Sequence, residues 1–251
     1  MKNNLIVVIG YPKSGNIWMV RLLADVLKYK VLATGNVEKD HIASDVNNQL
    51  TALSDHYLIT KQHELPGKLS PQAACCVYMI RDVRDVLTSY YFWHHPLQST
   101  SFDINSFNNF VRELLMGKLN YGSWQDHVKA WYDNYAGLSA KMPVIFVKYE
   151  DLLANTSKQI KKTIMKLGFS APTSQIEVAT YRQSFEQKKN YYNNLSEGIK
   201  VPGGIEGNRL FLRKGIVGDW RNWFDNETKS IVKQYAGHTL IKLGYEKDDD
   251  W

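Results

Sequence analysis

The chain has 251 residues, 44% of them hydrophobic, which is enough to bury one sizeable core and predicts a single domain over residues 1–251. Its formal net charge of +6 favours an anionic partner and leaves open a nucleotide, a nucleic acid or an acidic surface. No stretch approaches the roughly 18 apolar residues of a membrane-spanning helix, and the only cysteines are adjacent, so we expect a cytoplasmic protein with no membrane span and no disulfide framework.

The first predicted elements are a buried strand, a tight basic loop and a helix. Residues 5–9 are all apolar, residues 11–18 form the loop, and residues 19–27 are amphipathic. Backbone N–H groups of such a loop converge on an anion at the helix N-terminus. The sequence therefore predicts a cradle for a phosphate-like group.

This loop is only partly like the loop of nucleotide triphosphatases. Gly10 and Gly15 have the outer spacing of a Walker A loop, but Lys13 lies inside the loop. Asn16 and Ile17 stand where Lys and Ser or Thr would be required. The hydroxyl that holds Mg²⁺ in that class is therefore missing, and we expect a P-loop-like site that binds no metal.

The next predicted strand covers residues 57–60, and the chain leaves it in a turn that stops at Pro66. In an open parallel sheet, ligands gather beyond the carboxyl ends of the strands. Only two residues separate His63 from this strand end, so it is a candidate catalytic residue. The other histidines are interpreted as packed or surface residues: His41, His56, His94, His95, His127 and His238.

A third strand is predicted over residues 73–80, a continuous apolar run of the kind that is covered on both faces. It ends at Arg81, whose planar guanidinium suits a phosphate, and Ser89 follows on a helix as a neutral donor. Asp82 and Arg84 are interpreted as a solvated charge pair. A Walker B Asp would have to close this strand, which argues against a P-loop kinase.

Later elements are predicted from their periodicity and their helix-start signals. Residues 107–114 and 121–135 show helical spacing of large apolar residues, and residues 143–148 form a strand. Thr156 and Gln159 have the spacing of a capping box, and Asp225 precedes a last helix.

One long polar stretch, residues 186–207, is rich in Asn, Lys and Gly. A segment of this kind inside a compact domain is usually disordered or functional. We interpret it as a lid that orders over a bound nucleotide.

Five segments resemble, in the same order, those of the cytosolic-type sulfotransferases, which use 3′-phosphoadenosine 5′-phosphosulfate (PAPS) as sulfuryl donor. Residues 11–18 resemble the 5′-phosphosulfate loop, residues 61–66 the segment with the catalytic His, and residues 81–91 the 3′-phosphate segment. Residues 121–128 resemble Tyr-Gly-Ser-Trp-x-x-His-Val, and residues 213–224 resemble Arg-Lys-Gly-x-x-Gly-Asp-Trp-Lys-Asn-x-Phe. The last of these matches is the most specific.

The resemblance implies a three-layer α/β/α fold with a mostly parallel central sheet. It implies in-line transfer of a sulfuryl group from PAPS to a hydroxyl or amine of a small-molecule acceptor, with adenosine 3′,5′-bisphosphate (PAP) as product and no metal. Two alternatives stay open at this point. A P-loop-type small-molecule kinase would need ATP and Mg²⁺, and a nucleic-acid binder would show salt-dependent binding without nucleotide preference.

The resemblance also assigns site residues. The catalytic residues would be His63 as base, Lys13 at the leaving oxygen and Lys61 at the sulfuryl oxygens. The donor would be bound by Lys13, Ser14, Gly15, Asn16, Ile17, Trp18, Arg81, Ser89, Tyr149, Ser184, Phe185, Arg213, Lys214 and Gly215. Within this set, Trp18, Tyr149 and Phe185 would enclose the adenine. The family often has two Thr after the loop Gly, and Ile17 departs from that pattern.

The identity of the acceptor is left open, as is the choice between O- and N-sulfation. Candidate walls of its pocket are residues 36–56, 92–106 and 190–210, and the short segment before the first strand implies a more open pocket. The family's dimer segment is not recognisable near the C-terminus, so we expect a monomer or a weak homodimer. Nucleic acid is not an expected partner.

Overall fold

The computed structural model describes residues 5–32, 58–95, 101–195 and 212–251. Within these ranges, five strands form one sheet in the order β2-β3-β1-β4-β5, and every neighbouring pair is parallel. The strands are β1 Leu5–Gly10, β2 Lys30–Val31, β3 Leu58–Gln62, β4 Ala73–Ile80 and β5 Val144–Lys148. The mostly parallel sheet predicted from the sequence is confirmed.

Helices connect the strands and cover the sheet. They are α1 Asn16–Leu27, α2 Val83–His94, α3 Ile104–Leu115, α4 Trp124–Asp133, α5 Tyr135–Ser139, α6 Tyr149–Ala154, α7 Thr156–Lys166, α8 Thr173–Arg182, α9 Phe185–Asn193 and α10 Asn226–Lys242, with short 3₁₀ turns at Pro66–Lys68 and Asp219–Asn222. Among the described helices, none has the length and apolar character needed to cross a bilayer.

The side-chain alternation of β1 divides the core into two layers. Leu5, Val7 and Ile9 pack with apolar residues of α2, α3, α4 and α10, whereas Ile6 and Val8 pack with those of α1, α7 and α8. All of these β1 side chains are fully buried, as expected for a strand covered on both faces. The predicted three-layer α/β/α arrangement is therefore confirmed.

The parallel register brings the functional strand ends to one edge of the sheet. In the central pairs, Ile9 of β1 lies opposite Gln62 of β3 and Tyr78 of β4. The segments that follow these strands, which start at Tyr11, His63 and Arg81, therefore leave the sheet side by side. This edge is where a parallel sheet places its ligands.

Two local predictions, on the end of β3 and on a helix cap, need correction. β3 runs to Gln62, so His63 follows the strand end directly, because Lys61 and Gln62 pair with β1 in the parallel ladder. The helix expected to start at a Thr156 capping box is capped instead by Asn155, whose side chain accepts a hydrogen bond from the N–H of Lys158.

The predicted lid is also partly wrong, because α9 Phe185–Asn193 makes its first part helical. Ser184 caps this helix by accepting a hydrogen bond from the N–H of Gln187. Residues 196–207 lie outside the described residues. The predicted cap of the last helix is confirmed, since Asp225 accepts from the N–H of Thr228 at 2.7 Å.

The charge pair of Asp82 and Arg84 is buried, so the prediction of a solvated pair is wrong. Nη2 of Arg84 lies 2.7 Å from Oδ2 of Asp82, and Nη1 contacts Glu246 at 2.5 Å. The guanidinium lies over the rings of Trp220 and Trp251 at 4.2 and 4.4 Å. A guanidinium tolerates burial when its donors are paired and its faces are stacked, and both conditions hold here.

Candidate active site

The loop after β1 has a backbone that only certain residues adopt easily. Lys13 has a φ of 69° and Gly15 a φ of 93°, both in the left-handed region. Gly15 is the N-cap of α1, and its carbonyl accepts the first helical hydrogen bond from the N–H of Met19 at 3.1 Å. A Cβ on Gly15 would lie 2.7 Å from Cδ2 of Tyr149, so the position requires glycine for space as well as conformation.

Asn16 ties the start of α1 back to the end of β1. Its buried amide nitrogen donates to the carbonyls of Gly10 at 3.1 Å and Tyr11 at 3.2 Å. The hydroxyl of Ser14 is also buried, and no protein group of the described residues bonds to it. The backbone N–H of Ser14 donates to the carbonyl of Tyr11 at 3.2 Å, so Ser14 would offer an anion its unpartnered hydroxyl, whereas Asn16 would offer its backbone N–H.

His63 is held by the same loop. Its Nδ1 lies 3.3 Å from the amide nitrogen of Asn16 but only 2.6 Å from the carbonyl oxygen of Gly10, and the shorter contact decides the tautomer. A carbonyl can only accept, so Nδ1 carries the proton and Nε2 is left as the acceptor nitrogen. Burial, together with the nearby charge of Lys61, lowers the pKa of His63 to about 3, so that the ring is neutral near pH 7. Tyr121 packs edge-on against the ring, with centroids 5.1 Å apart.

Lys13 lies among other cations. Burial, followed by repulsion from Arg81, Arg213 and Lys61, lowers the pKa of Lys13 to about 7. Its ammonium lies 4.3 Å from the centroid of the Trp93 ring. Burial in β3 lowers the pKa of Lys61 to about 8. Cations that are held close together, with lowered pKa values, are typical of a site that binds an anion.

The late basic segment is organised by Asp219. Its two oxygens contact Nη2 of Arg213 at 2.6 Å and Nζ of Lys214 at 2.7 Å. Although burial alone would raise it, the hydrogen bonds from Lys214, Asn222 and Arg213 lower the pKa of Asp219 to about 2. A permanently ionised carboxylate therefore holds both cations in place.

Gly215 follows these cations with a φ of 65°. A Cβ there would lie against Cδ2 of Phe185 and 2.9 Å from its Cγ and Cε2. The ring of Phe185 thus packs directly on the backbone of Gly215.

Arg81 joins the early loop to this late segment. Its Nη1 donates to the carbonyl of Lys13 at 3.2 Å and its Nη2 to that of Ile216 at 3.1 Å, while the guanidinium lies 4.2 Å from the centroid of the Tyr149 ring. Asp85, one turn further along, accepts from the N–H groups of Gly218 at 2.7 Å and Trp220 at 3.2 Å. The start of α2 therefore fixes the position of the late segment relative to β1.

A single cavity lies between these parts. Of the residues predicted from the sequence, it is lined by Lys13, Gly15, Trp18, Arg81, Ser89, Tyr149, Ser184, Phe185, Arg213, Lys214 and Gly215. The remaining predicted residues, Ser14, Asn16, Ile17, Lys61 and His63, do not line this cavity but belong to the adjoining loop and to the end of β3. The two basic ends predicted from the sequence thus open into one groove.

Aromatic rings form the wall between the charged ends. The ring of Trp18 meets that of Tyr149 edge-on, with centroids 5.7 Å apart and planes at 63°. The indole N–H of Trp18 donates to the carbonyl of Gln183 at 2.9 Å, which joins α1 to the segment that carries Phe185. Flat apolar walls between two cationic ends suit a ligand with a planar ring and two anionic groups.

Sequence reasoning missed several residues of this site. Arg21 and Lys188 are two further cations that line the cavity. Arg21 lies three residues after Trp18 on α1, and this helical spacing could have placed it on the same face. Asp85 and Asp219 were not predicted as anchors of the basic segment, because their backbone and cation partners are visible only in the fold.

Comparison with known proteins gives consistent similarities. Residues 3–244 match the family described as Sulfotransferase domain. The chain is 31% identical to Sulfotransferase 1E1 of Mus musculus over 242 residues, which cover 87% of this chain and 77% of that protein. It is also 31% identical to Sulfotransferase 1B1 of Mus musculus over 264 residues, covering 94% of this chain and 84% of that protein.

Solved structures share the fold. Mouse sulfotransferase SULT7A1 complexed with PAP superposes with a TM-score of 0.74 at 23% identity, covering 96% of this chain and 86% of that chain. Retinol dehydratase in complex with androsterone and inactive cofactor PAP gives a TM-score of 0.68 at 19% identity, covering 96% and 81%.

Proposed function

This chain belongs to the sulfotransferase family, and we propose that it transfers a sulfuryl group from PAPS to a hydroxyl or amine of a small-molecule acceptor. The observation that carries the proposal is the single cavity that Lys13 and Arg213 both line, with Arg81 bonded to the backbone of both basic segments. The P-loop kinase alternative is not favoured, because β4 is followed by Arg81 where that class needs an Asp.

The residues around the cavity fit a doubly phosphorylated adenosine. Two nitrogens of Arg213 and Nε of Arg81 are buried without a hydrogen-bond partner among the described residues, so their donors are available to an anion after small adjustments. Arg81, Ser89, Arg213, Lys214 and Gly215 would hold the 3′-phosphate. The hydroxyl of Ser14 and the backbone N–H groups of residues 15–18 would hold the 5′-phosphate, as at other helix N-termini. Trp18, Tyr149, Ser184 and Phe185 would enclose the adenine.

The donor supplies an activated sulfuryl group and a nucleotide leaving group. His63 takes the acceptor's proton on Nε2 while the acceptor oxygen or nitrogen forms its bond to sulfur. The bond from sulfur to the 5′-phosphate oxygen breaks, and its electron pair stays on that oxygen. Lys13 stabilises the charge that grows there, and Lys61 steadies the sulfuryl oxygens. No metal is needed for this step, since side-chain cations supply the positive charge.

The electrostatics of His63 support its role as base. Burial is the largest cause of its lowered pKa, and the charges of Lys61 and Lys13 lower it further. An anionic group bound among these cations would offset their repulsion, so donor binding raises the pKa of His63 toward its ordinary value. The base would therefore become stronger when the donor is in place.

The acceptor is proposed to be a small alcohol, phenol or amine. Androsterone, which is bound to the structurally similar retinol dehydratase, is a compact ring-bearing molecule. Its presence there supports an acceptor of similar size for this chain. Most of the candidate acceptor walls lie outside the described residues, namely residues 36–56, 96–100 and 196–210.

The experiment is to incubate the purified protein with PAPS labelled in its sulfuryl group and a panel of alcohols, phenols and amines. We expect transfer of label to at least one acceptor with formation of one PAP per product molecule. A parallel arm contains ATP labelled in its γ-phosphate, Mg²⁺ and the same panel. Phosphorylation in that arm together with no sulfation in the first would overturn the proposal.

We also propose a cytoplasmic location, a single domain and a monomer or weak homodimer without a nucleic-acid partner. The free thiols of Cys75 and Cys76 are both buried, which suits a reducing compartment. Light scattering across a range of protein concentrations would measure the oligomeric state.

A further inference from the structure

Two donors on α4 hold the backbone beside His63. The ring nitrogen Nε2 of His127 lies 3.0 Å from the carbonyl oxygen of His63, and the indole N–H of Trp131 donates to that of Glu64 at 3.1 Å. His127 and Trp131 are four residues apart, so they project from the same face of the helix. The bonded carbonyls are successive and lie just beyond β3, where no strand pairing fixes the backbone.

The hydrogen bonds around His127 specify one tautomer of its ring. The carbonyl of His63 can only accept, so Nε2 of His127 must carry the proton. Its Nδ1 lies 2.8 Å from the hydroxyl of Tyr78 and therefore accepts from it. Only the neutral ring can do both. Burial lowers the pKa of His127 to about 4, which keeps the ring neutral near pH 7.

Packing fixes the same ring in place. His127 is 2% exposed and Tyr78 is fully buried. The ring of Tyr78 stacks on His127 with planes at 20°, and the ring of Tyr11 meets it edge-on at 81°. The orientation of the imidazole is therefore set by two side chains, Tyr78 of β4 and Tyr11 of the phosphate loop.

We propose that His127 is a positioning residue for His63, which rests on the proposed function of His63 as base. His63 is held at its ring and at its backbone: Gly10 accepts from its Nδ1, which also lies 3.3 Å from the amide nitrogen of Asn16, and His127 donates to its carbonyl oxygen. Together these bonds fix the backbone and the ring of His63, and they leave Nε2 as the nitrogen that can receive a proton. His127 itself touches neither donor nor acceptor in this arrangement.

Loss of this donor should affect turnover more than donor binding. His127→Leu keeps an apolar side chain at the position but leaves the carbonyl of His63 and the hydroxyl of Tyr78 without their partner. The backbone of His63 would then sample other positions, and misplacement of a catalytic group by about 1 Å can cost up to roughly a hundredfold in rate. The donor cavity does not include His127, so binding of PAP should be unchanged.

The test compares His127→Leu with His127→Gln, because a Gln amide can donate to the His63 carbonyl and accept from the Tyr78 hydroxyl. We expect kcat to fall about tenfold or more in the Leu variant and to be close to the wild-type value in the Gln variant. The rise in Tm caused by PAP should be the same in the wild type and in both variants. Trp131→Phe is the comparison variant: it removes the bond to the carbonyl of Glu64 but keeps the bond to that of His63, so it should lower kcat less than His127→Leu does.

A second readout does not depend on activity. In the PAP-bound protein, ¹⁵N NMR of the His63 ring should show a protonated Nδ1 and a bare Nε2 in the wild type and the Gln variant, and a mixture of tautomers in the Leu variant. Tyr78→Phe keeps the packing and removes only the hydroxyl, so it serves if His127→Leu does not fold, and it should produce a smaller shift in the same direction.

Equal kcat and equal His63 spectra in the wild type and the Leu variant would overturn the positioning role. So would a Gln variant as impaired as the Leu variant in both readouts. If the wild type transfers no sulfuryl group but the Leu variant still shows the expected change of tautomer, the proposed function is wrong. The positioning of the His63 ring by His127 is then still supported.

Discussion

Replacing Gly215 with Ala tests whether the contact between the late basic segment and Phe185 is part of the nucleotide site. The new Cβ would lie 2.9 Å from Cγ and Cε2 of Phe185, whereas ordinary contact between carbon atoms is about 3.5–4.0 Å. The ring would have to move by roughly 1 Å, at a cost of about 0.5–1.5 kcal/mol if it leaves its rotamer. The φ of 65° adds about 1–2 kcal/mol for a residue with a Cβ.

The combined strain of about 1.5–3.5 kcal/mol would be relieved by movement of the segment away from its binding geometry. We therefore expect the Kd for PAP to rise between about tenfold and about three-hundredfold, measured by isothermal titration calorimetry. Gly168→Ala is the matched control, because Gly168 also has a positive φ, of 85°, but open space where its Cβ would lie. It should lower stability slightly and leave PAP affinity unchanged. Equal PAP affinity in the two variants would refute the reasoning.

Three further predictions follow from the site and the fold. His63→Ala should lower kcat by roughly 10²–10⁴ while leaving the PAP-induced rise in Tm intact, and near-normal turnover would show that His63 is not the base. Affinity for PAP should fall as pH rises above about 7, because Lys13, with its pKa near 7, must then take up a proton on binding. In Lys13→Arg the affinity should no longer fall above pH 7, and only the fall above about pH 8, which comes from Lys61, should remain. If the dependence of affinity on pH is the same as in the wild type, another group causes the decline. Arg84→Met should lower the free energy of unfolding in urea by about 3 kcal/mol, because Asp82 and Glu246 lose their buried partner, and a loss below about 0.5 kcal/mol would mean that this cluster is effectively solvated.

Several elements were predictable because local sequence and tertiary environment agree. β4 Ala73–Ile80 has the predicted bounds, since an unbroken apolar run is what a strand covered on both faces requires. The loop around Lys13 and Gly15 was identified from its glycine spacing and its position between a strand and a helix. Asp225 was identified as a cap from its place before an apolar periodic run.

Other features depend on partners that are distant in sequence. Lys61 and Gln62 look like loop residues, but pairing with β1 extends the strand through them. The burial of Arg84 depends on Glu246, which is 162 residues away. His127 was interpreted as a packed or surface residue, and nothing near it in sequence indicates that its ring reaches the carbonyl of His63. In each case the deciding interaction is long-range, so periodicity and local spacing contain no signal for it.

The central claim is that one groove binds both ends of a doubly phosphorylated adenosine, and it is tested most directly by calorimetry. Binding of PAP is compared with that of adenosine 5′-phosphate and adenosine 3′-phosphate, in the wild type and in Arg213→Ala. We expect PAP to bind at least about tenfold tighter than either monophosphate, and Arg213→Ala to lower the affinity for the two 3′-phosphorylated ligands without changing that for adenosine 5′-phosphate. Equal affinities for PAP and adenosine 5′-phosphate in the wild type would contradict the claim.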